Sequence, residues 1–379
     1  MKILHIISDW KWTGPAEPVV NLCSELKKRG HDVTLATAKT PSGNQPHLKE
    51  KALLKGVQLY EGLYLRRRAG IKAIKDLFTL RGYIKNNDFD IIHCHLAHDH
   101  TLSVLALRGQ KDIKLVRTSH KGVPLITNIG NRLLMRYTDG LITVSDGARL
   151  ADVNSFSMPT ERVCAIQNAI DLDRFTPRQK NPDVIKDLGI SPDDVVVGIV
   201  ARLQRHRRFD VFLKAVKIAS EKMPNLKAIV VGRGTYQDEV MARPIKEMGL
   251  ENIVIMAGYR KDDYLDVLAC FDMKVFLVPG SDGSCRAVRE LMAMGKPVVA
   301  AQRGMLPEIV DDGINGLLID DTDENLASAI LKLARDKDMR ESMGAEARKK
   351  AIFSFSLILQ SERVEKVYNQ LMRGHSVSL

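Results

Sequence analysis

The sequence predicts an α/β protein with two doubly wound parallel sheets, and three observations support this fold class. Short apolar strands alternate with amphipathic helices, which is typical of parallel sheets with helical crossovers. The alternation begins at residues 2–8 and begins again at residues 195–200. The chain has 379 residues, which is enough for two or three domains that each bury a core.

The first half supplies the elements of one such sheet. Predicted strands cover residues 2–8, 32–36, 91–95, 114–118, 140–144 and 162–167. Predicted helices lie near residues 15–29, 71–86, 101–108 and 127–137. Residues 176–194 contain three prolines and several charges, so we interpret them as a linker. The first domain is therefore predicted to span residues 1–175.

The second half repeats the pattern and forms the second predicted domain, residues 176–355. Its predicted strands cover residues 195–200, 227–231, 253–256, 273–278 and 297–301. Its predicted helices lie near residues 209–222, 236–248, 262–269, 323–335 and 339–352. A final amphipathic helix is predicted at residues 356–372.

Composition limits the class of protein. The charged and hydrophobic fractions, 27% and 45%, are those of an ordinary globular protein. The five cysteines are scattered without a CxxC pair, which argues against a disulfide framework or a zinc ribbon. The opening apolar stretch is too short for a signal peptide, and no run approaches the length of a membrane span. We therefore expect a soluble, cytoplasmic protein.

The positive charge is concentrated in the first half of the chain. The net charge is +10 over residues 1–190 and +1 over residues 191–379, which together give the total of +11. Within residues 71–78, Ile71, Ile74, Leu77 and Phe78 share one helical face, with Lys72 and Lys75 beside it. Two interpretations remain open and do not exclude each other: this face docks on the sheet, and the segment contacts an anionic membrane or acceptor.

Residues 275–318 have the pattern of a ligand site. The strand VFLV ends at Pro279 and a polar loop follows; the next helix carries Glu290 on an apolar face, with its N-terminus expected near Arg286. A helix N-terminus binds phosphate, and a carboxylate accepts hydrogen bonds from hydroxyls. In α/β proteins such loops lie beyond the carboxyl ends of the strands, where ligands bind. Phosphate and polyol recognised side by side indicate a nucleotide sugar.

The same stretch resembles the donor site of the family four retaining glycosyltransferases of the GT-B fold. Glu290 begins the run ELMAMGKPVVA, and Asp282 lies eight residues earlier, where the family usually has Glu. The resemblance implies two Rossmann-like domains facing a cleft, with the C-terminal helix, residues 356–379, returning to the first domain. It also implies that Glu290 binds the donor ribose, that Asp282 binds the donor sugar, and that Gly283 belongs to the same donor loop.

Two further motifs resemble the phosphate-binding parts of this family. Residues 201–208, ARLQRHRR, are similar to GRLxxxKG, which implies that Arg202 and Arg207 hold the donor diphosphate. Arg208 stands where the family has Gly. Two more features complete the predicted donor site: the run Gly232-Arg-Gly after a predicted strand, and Arg286 as an added phosphate contact. The cluster lacks the interleaved aromatic residues of a nucleic-acid surface, so we expect no nucleic-acid partner.

The predicted acceptor side lies in the first domain. Residues 13–17, TGPAE, resemble the family's GGAE loop, with Gly14 as the helix N-cap near the diphosphate and Glu17 near the acceptor. Pro15 removes an N–H that a second Gly would supply. His120 follows a predicted strand and corresponds to a histidine near the reacting sugar. His93 and His95 on a strand, with His98 and His100 on the next loop, superficially resemble a metal site, but we predict no metal.

The resemblance implies a retaining glycosyltransferase that needs neither a metal nor another cofactor. It would transfer a sugar from a nucleoside diphosphate sugar to a glycan or lipid-linked acceptor, and the basic half mildly favours a lipid-linked or lipopolysaccharide acceptor and a peripheral position on the inner membrane face. Asp282, Pro15, Arg208 and Cys285 depart from the family pattern. They leave open an alternative, a catalytically weak nucleotide-sugar-binding homologue. A sugar-nucleotide epimerase fits the motifs less well.

Overall fold

The computed structural model describes residues 1–12, 14–65, 70–110, 112–279 and 282–374, apart from the side chains of residues 282–284. The chain forms two compact units. Unit 1 contains Met1–Ala169 and the C-terminal segment that begins at Leu357, and unit 2 contains Ile170–Gly280 and Ser284–Ser356. This division falls between Ala169 and Ile170, a few residues before the boundary predicted from the linker.

Unit 1 is built on a seven-stranded parallel sheet. Its strands are β1 Lys2–Ile7, β2 Asp32–Thr37, β3 Gln58–Tyr60, β4 Ile91–Cys94, β5 Lys114–Ser119, β6 Gly140–Thr143 and β7 Val163–Ala165. Its helices are α1 Ala16–Lys28, α2 His47–Leu54, α3 Ile71–Lys85, α4 Ala97–Ala106, α5 Ile129–Arg136, α6 Asp146–Phe156 and the C-terminal α15 Leu357–Met372. The strand order is β3-β2-β1-β4-β5-β6-β7, so the winding direction reverses between β1 and β4.

Helices cover both faces of this sheet. Helices α1, α2 and α15 share one core with alternate strand residues such as Ile3 and Ile91. Helices α3 and α4 share a second core with the intervening residues such as Leu4 and Ile92, and Leu134 of α5 packs against that core. Strands buried on both faces explain the near-continuous apolar runs of the sequence.

Unit 2 is built on a six-stranded parallel sheet. Its strands are β8 Val195–Val200, β9 Leu226–Val231, β10 Val254–Gly258, β11 Met273–Phe276, β12 Val298–Ala301 and β13 Gly316–Ile319. Its helices are α7 Pro182–Asp187, α8 Phe209–Lys222, α9 Arg243–Glu247, α10 Tyr264–Ala269, α11 Asp282–Ala293, α12 Leu306–Ile309, α13 Asp323–Arg335 and α14 Lys337–Ser354. The order β10-β9-β8-β11-β12-β13 reverses between β8 and β11.

The predicted fold class is confirmed by these two parallel α/β sheets. Several short elements escaped the sequence analysis because they are too brief or too polar for a periodic pattern. Helix α7 lies inside the predicted linker, where Asn181 caps it and Pro182 occupies its first turn. Helix α6 is polar, and its N-terminus is marked by Ser145, whose hydroxyl accepts a hydrogen bond from the amide of Ala148.

The sheet-docking interpretation of this face is wrong for Ile71, Ile74 and Phe78, which are exposed. Leu77 of the same face does pack against the core, beside Leu80 and Ile84. The helical period reveals that two faces differ, but both faces of α3 carry large apolar residues, so the period alone did not decide which one is buried. Among the described residues, no helix is both long and apolar enough to cross a membrane.

Candidate functional site

The predicted phosphate-binding arginines lie at the switch point of unit 2, where α/β proteins bind ligands. Arg202 and Arg207 follow β8, and the Nη1 atom of Arg207 donates a hydrogen bond to the Val278 carbonyl beyond β11 at 2.9 Å. This bond joins the loops at the carboxyl ends of the two strands that flank the reversal. The arginine loop is therefore held at the expected ligand edge of the sheet.

The two arginines are close enough to influence each other electrostatically. Burial lowers the pKa of Arg207; the neighbouring Cys285 thiol opposes this shift, and the positive charge of Arg202 adds to it. The Nε atom of Arg207 is buried without a hydrogen-bond partner among the described residues. Adjacent like charges with an unused donor are the arrangement expected of a site that binds an anion.

Gly232 and Gly234 allow the loop after β9 to approach the arginine loop. A Cβ on Gly232 would lie 1.9 Å from the Ala201 carbonyl oxygen, and one on Gly234 would lie 2.1 Å from that of Leu203. The amide of Leu203 also donates to the Arg233 carbonyl at 3.2 Å. The structure thus gives Gly232 a positioning role: it permits the backbone contact that holds the residues on either side of Arg202.

Glu290 lies on α11 and is almost completely buried. Its two carboxylate oxygens accept hydrogen bonds from Arg286 Nε and from the Tyr264 hydroxyl, each at 2.7 Å. Burial raises the pKa of Tyr264 well above its usual value, and the Glu290 charge raises it further, so the phenol remains a donor. Tyr264 could not be identified from the sequence, because nothing near it in the chain signals a partner 26 residues away.

The expected helix start near Arg286 is wrong, because α11 begins at Asp282. Arg286 is therefore one turn inside the helix, and its guanidinium forms an i,i+4 ion pair with Glu290. The Asp282 side chain lies outside the described part of the structure, so its predicted contact with the donor sugar, like the predicted place of Gly283 in the donor loop, remains a prediction. The role of Arg286 as a phosphate contact likewise remains a prediction.

A buried lysine lies behind the carboxylate. Lys274 is fully buried on β11, and its Nζ atom has no hydrogen-bond partner among the described residues. The negative charge of Glu290 raises the pKa of Lys274, but burial has the larger effect. Burial lowers the pKa of Lys274 to about 7. A lysine between Met273 and Val275 in an apolar strand is a visible departure from the pattern, and it could have identified this residue in the sequence.

The backbone explains why the family has Gly at position 208. Arg208 has φ +57° and ψ +39°, in the left-handed region that favours glycine. Its guanidinium donates to the Asp321 carbonyl at 3.1 Å and pairs with the Asp321 carboxylate at 3.3 Å. The side chain therefore has a structural partner that helps to hold an otherwise unfavourable turn.

The predicted residue His120 joins a chain of buried histidines in unit 1. His120 Nε2 lies 3.0 Å from His95 Nδ1, and His95 Nε2 lies 2.9 Å from His5 Nδ1. These side chains follow or belong to β5, β4 and β1, so they meet at the switch point of the first sheet. The neighbouring His93 bonds the hydroxyls of Tyr368 on α15 and of Thr118.

The surrounding amides indicate which nitrogen of His120 carries the proton. Gln360 Nε2 donates to the Gln167 carbonyl and to Asn168 Oδ1, each at 3.3 Å. Asn168 therefore turns Nδ2 toward His120 Nδ1, at 3.4 Å. His120 then accepts at Nδ1 and donates from Nε2 to His95, which donates in turn to His5.

Burial keeps these imidazoles neutral. It lowers the pKa of His120 to about 4 and that of His5 to about 3, and it lowers the pKa of His95 well below 6.5, with help from the neighbouring histidines. His5, His93 and His95 are near enough to share an ion, but every ring nitrogen of these three except His5 Nε2 already bonds another imidazole or a hydroxyl group. His98 and His100 lie on α4, not on a loop as predicted, because α4 begins at Ala97.

The helix that follows the predicted acceptor loop begins one residue later than expected. Pro15, not Gly14, occupies the N-cap position, and α1 begins at Ala16. Glu17 is thus the second helical residue and is half-buried, and Gly14 lies in an exposed turn. The structure leaves the roles of Gly14, Glu17 and His120 toward a substrate as predictions.

The sequence matches two family profiles that cover most of its length. Residues 13–174 match Glycosyltransferase Family 4, and residues 180–350 match Glycosyl transferases group 1. The chain is 29% identical over 308 residues to the D-inositol 3-phosphate glycosyltransferase of Corynebacterium jeikeium, covering 75% of this chain and 73% of that protein. It is 23% identical over 312 residues to an Escherichia coli UDP-Gal:alpha-D-GlcNAc-diphosphoundecaprenol alpha-1,3-galactosyltransferase, covering 79% and 80%.

Solved structures agree on the fold. A glycosyltransferase from Rickettsia africae superposes with a TM-score of 0.82 at 16% identity, covering 98% of both chains. Anabaena HepE, solved in complex with UDP, superposes with a TM-score of 0.81 at 19% identity, covering 98% of this chain and all of that one. Together with the two profiles and the paired parallel sheets, these similarities show that the chain belongs to the group 1, family four glycosyltransferases of the GT-B fold.

Proposed function

We propose that this glycosyltransferase works with retention and transfers a sugar from a nucleoside diphosphate sugar to a glycan or lipid-linked acceptor in the synthesis of cell-envelope polysaccharide or lipopolysaccharide. The observation that carries the donor side is the pair of adjacent guanidiniums, Arg202 and Arg207, at the switch point of unit 2. A relative that acts on a diphosphoundecaprenol-linked acceptor supports the acceptor class.

In this proposal the donor is bound by unit 2. Arg202 and Arg207 neutralise the diphosphate and stabilise the charge that develops on it as it leaves. In this proposal Arg202, which is exposed, and Arg207, which the Val278 carbonyl holds in place, take the role that a metal ion has in other phosphate sites, and we expect no metal or further cofactor. Glu290, held by Tyr264 and Arg286, accepts the ribose hydroxyls, and Asp282 accepts hydroxyls of the sugar.

The acceptor is bound by unit 1 in the same proposal. Both ring nitrogens of the neutral His120 are engaged, Nδ1 by Asn168 and Nε2 by His95. In the proposal a sugar hydroxyl takes the place of the Asn168 amide, whose nitrogen lies 3.4 Å from Nδ1, and His120 orients that hydroxyl and does not serve as an acid. Glu17 lies in the first turn of α1, and Gly14 lies in the exposed turn before that helix; Gly14 is proposed to lie near the donor diphosphate. We further propose that the protein works in the cytoplasm and contacts the inner face of the membrane peripherally.

The test is nucleotide binding without added metal. UDP, GDP and ADP, and then their sugar conjugates, are screened by thermal shift, since a ligand of the folded state raises the melting temperature. Arg207→Met should weaken binding of the best nucleotide roughly tenfold or more, because a charged hydrogen bond contributes about 1.5–3 kcal/mol.

Arg205→Met is the matched control. Arg205 is three residues after Arg202, is exposed, and pairs with Glu239 at 2.8 Å, so its loss should leave nucleotide affinity unchanged. Equal affinity of the Arg207→Met protein and the wild type would remove the donor assignment. Nucleotide binding without sugar transfer to any lipid-linked or glycan acceptor would favour the catalytically weak homologue. The anomeric configuration of the product, read by NMR, tests retention.

A further inference from the structure

The outer surface of three neighbouring helices in unit 1 exposes large apolar side chains. Helices α3 and α4 share the core on one side of the sheet, and α5 joins it through Leu134. Ile71 is 87% exposed, Phe78 is 69% exposed and Ile129 is 80% exposed. The outer surface of α3, α4 and α5 is called here the α3–α5 surface, and its exposed large apolar residues are Ile71, Ile74, Phe78, Leu105, Ile129 and Leu133.

The exposed charged side chains of helices α3, α4 and α5 are all basic. With Arg108 just after α4, the exposed basic residues of the α3–α5 surface are Lys72, Lys75, Arg81, Lys85, Arg108, Arg132 and Arg136. Two acidic residues, Asp88 and Asp112, are exposed in the loops after α3 and α4. The described acidic residues of these helices, Asp76 and Asp99, are buried. Asp76 accepts hydrogen bonds from the amides of Tyr64 and Leu65 at 2.7 and 2.8 Å, and Asp99 accepts one from Ser8. No acidic side chain of these helices therefore reaches solvent.

Three lysines gather around one aromatic ring at the edge of this surface. The ammonium groups of Lys39, Lys72 and Lys75 lie 5.4, 5.3 and 5.7 Å from the centre of the Tyr64 ring. Lys39 follows β2, and Lys72 and Lys75 lie in the first turns of α3. Such a group of like charges repels itself unless an anion lies among them.

We propose that the α3–α5 surface docks on a bilayer that contains anionic phospholipids. Exposed apolar side chains on helices whose exposed charges are all basic are typical of a surface that inserts shallowly into lipid while its lysines and arginines contact the headgroup phosphates. A nucleic-acid partner would need stacking aromatic side chains, whereas most of the exposed apolar residues here are aliphatic. A twofold dimer would place this surface against itself and bring its basic residues together.

The direction of the helices relates this surface to the acceptor. Helices that connect parallel strands run back along the sheet, so the first turns of α3 and α5 lie near the carboxyl ends of the strands. Ile71 and Ile129 begin these helices, and His120 lies at the same edge, directly after β5. Docking would bring a lipid-linked acceptor to this edge, and in that respect the inference rests on the proposed function.

The test is flotation of the full-length protein with vesicles, without nucleotide or acceptor. We expect binding to vesicles of mixed phosphatidylglycerol and phosphatidylcholine, little binding to phosphatidylcholine alone, and release as salt rises from about 0.1 to about 1 M, where the Debye length falls from about 10 to about 3 Å. Lys72→Ala with Lys75→Ala should lower the partition coefficient about 25-fold, since each basic residue near the surface contributes about fivefold, or about 1 kcal/mol. Ile74→Ser with Phe78→Ser should lower it at least about tenfold.

Leu54→Ser is the matched control. Leu54 is exposed on α2, on the other side of the sheet, and its helix carries Glu50 between Lys49 and Lys51. The Leu54→Ser protein should bind vesicles as well as the wild type does. Thermal unfolding of every variant is followed by tryptophan fluorescence, and an unchanged melting temperature excludes misfolding as the cause of lost binding. Absence of binding, equal binding to both kinds of vesicle, or equal losses in the control would overturn the proposal. A concentration-dependent dimer that Phe78→Ser dissolves would also overturn it.

The two proposals fail separately. If the protein binds no nucleotide but floats with anionic vesicles in the predicted variant pattern, the docking surface stands without the donor site. If it binds a nucleotide sugar but ignores vesicles, the donor site stands and the membrane surface does not.

Discussion

Acid should destabilise unit 1 selectively, because five neutral histidines are buried in it. They are His5, His93, His95, His100 and His120. Burial lowers the pKa of each, to about 3 for His5 and about 4 for His120. The unfolded chain, with pKa values near 6.5, therefore binds these protons before the folded chain does. Their contribution to stability is full above about pH 6.5 and is lost as the pH falls toward the folded-state values.

The magnitude follows from the difference in bound protons. Between about pH 6.5 and 5.5, each such histidine lowers the free energy of unfolding by roughly 1 kcal/mol, so five lower it by roughly 5 kcal/mol. Two buried carboxyls act in the opposite direction. Burial raises the pKa of Asp99 and of Asp152 to about 6, so the folded state gains protons there and recovers roughly 1–2 kcal/mol in total. The net loss of roughly 3–4 kcal/mol is a large part of a typical domain stability.

Tryptophan fluorescence measures this loss in unit 1 alone. The only two tryptophans of the chain, Trp10 and Trp12, both belong to unit 1. Urea unfolding at several pH values should give midpoints that fall steeply below about pH 6.5. His5→Gln should reduce the slope of the free energy of unfolding against pH by about 1.4 kcal/mol per pH unit. His47→Gln, at an exposed site, should not change this slope. A midpoint that stays constant between about pH 7.5 and 5.5 would refute the reasoning.

Three further predictions concern single side chains. Tyr264→Phe removes one donor to Glu290 and should weaken nucleotide binding about three- to tenfold in calorimetric titration; unchanged affinity would separate this hydrogen bond from the donor site. Lys274→Met removes a fully buried ammonium and should stabilise unit 2 by about 3–5 kcal/mol near pH 7. This gain should shrink toward pH 10, because Lys274 of the folded wild type loses its proton. Hydrogen exchange of β11 measures the gain in stability, and a gain independent of pH would contradict this origin. Ser157→Gly replaces a left-handed residue, φ +50°, at the end of α6 and should raise the stability of unit 1 by about 1 kcal/mol, whereas a lower urea midpoint would show that the serine side chain stabilises the turn.

The sequence was sufficient where short-range pattern decides the structure. Strand–helix alternation predicted both sheets, and the motif around Glu290 predicted a buried carboxylate on α11. The start of α11 was misplaced because the polar residues before Arg286 resemble a loop, although the helix already includes them. The face of α3 was misplaced because Phe78 and Leu80 are equally apolar, and only the strand order decides which of them meets the sheet.

The histidine chain could not be predicted, because its contacts join distant parts of the sequence. His5 meets His95 across 90 residues, and His93 meets Tyr368 across 275 residues. A histidine in an apolar strand signals only that some polar partner exists. The identity of that partner depends on the strand order and on the position of α15, which no local pattern contains.

The position of α15 also constrains the order in which the chain can fold during synthesis. Val364, Val367, Tyr368 and Leu371 complete one core of unit 1, yet they leave the ribosome only after the whole of unit 2. All strands of unit 2 are synthesised before α15. We therefore expect unit 2 to complete its fold first, while one apolar face of the unit 1 sheet is still uncovered. A premature stop shortly before Leu357 would leave every predicted substrate-binding residue in the chain but would remove α15, which covers part of one face of the unit 1 sheet.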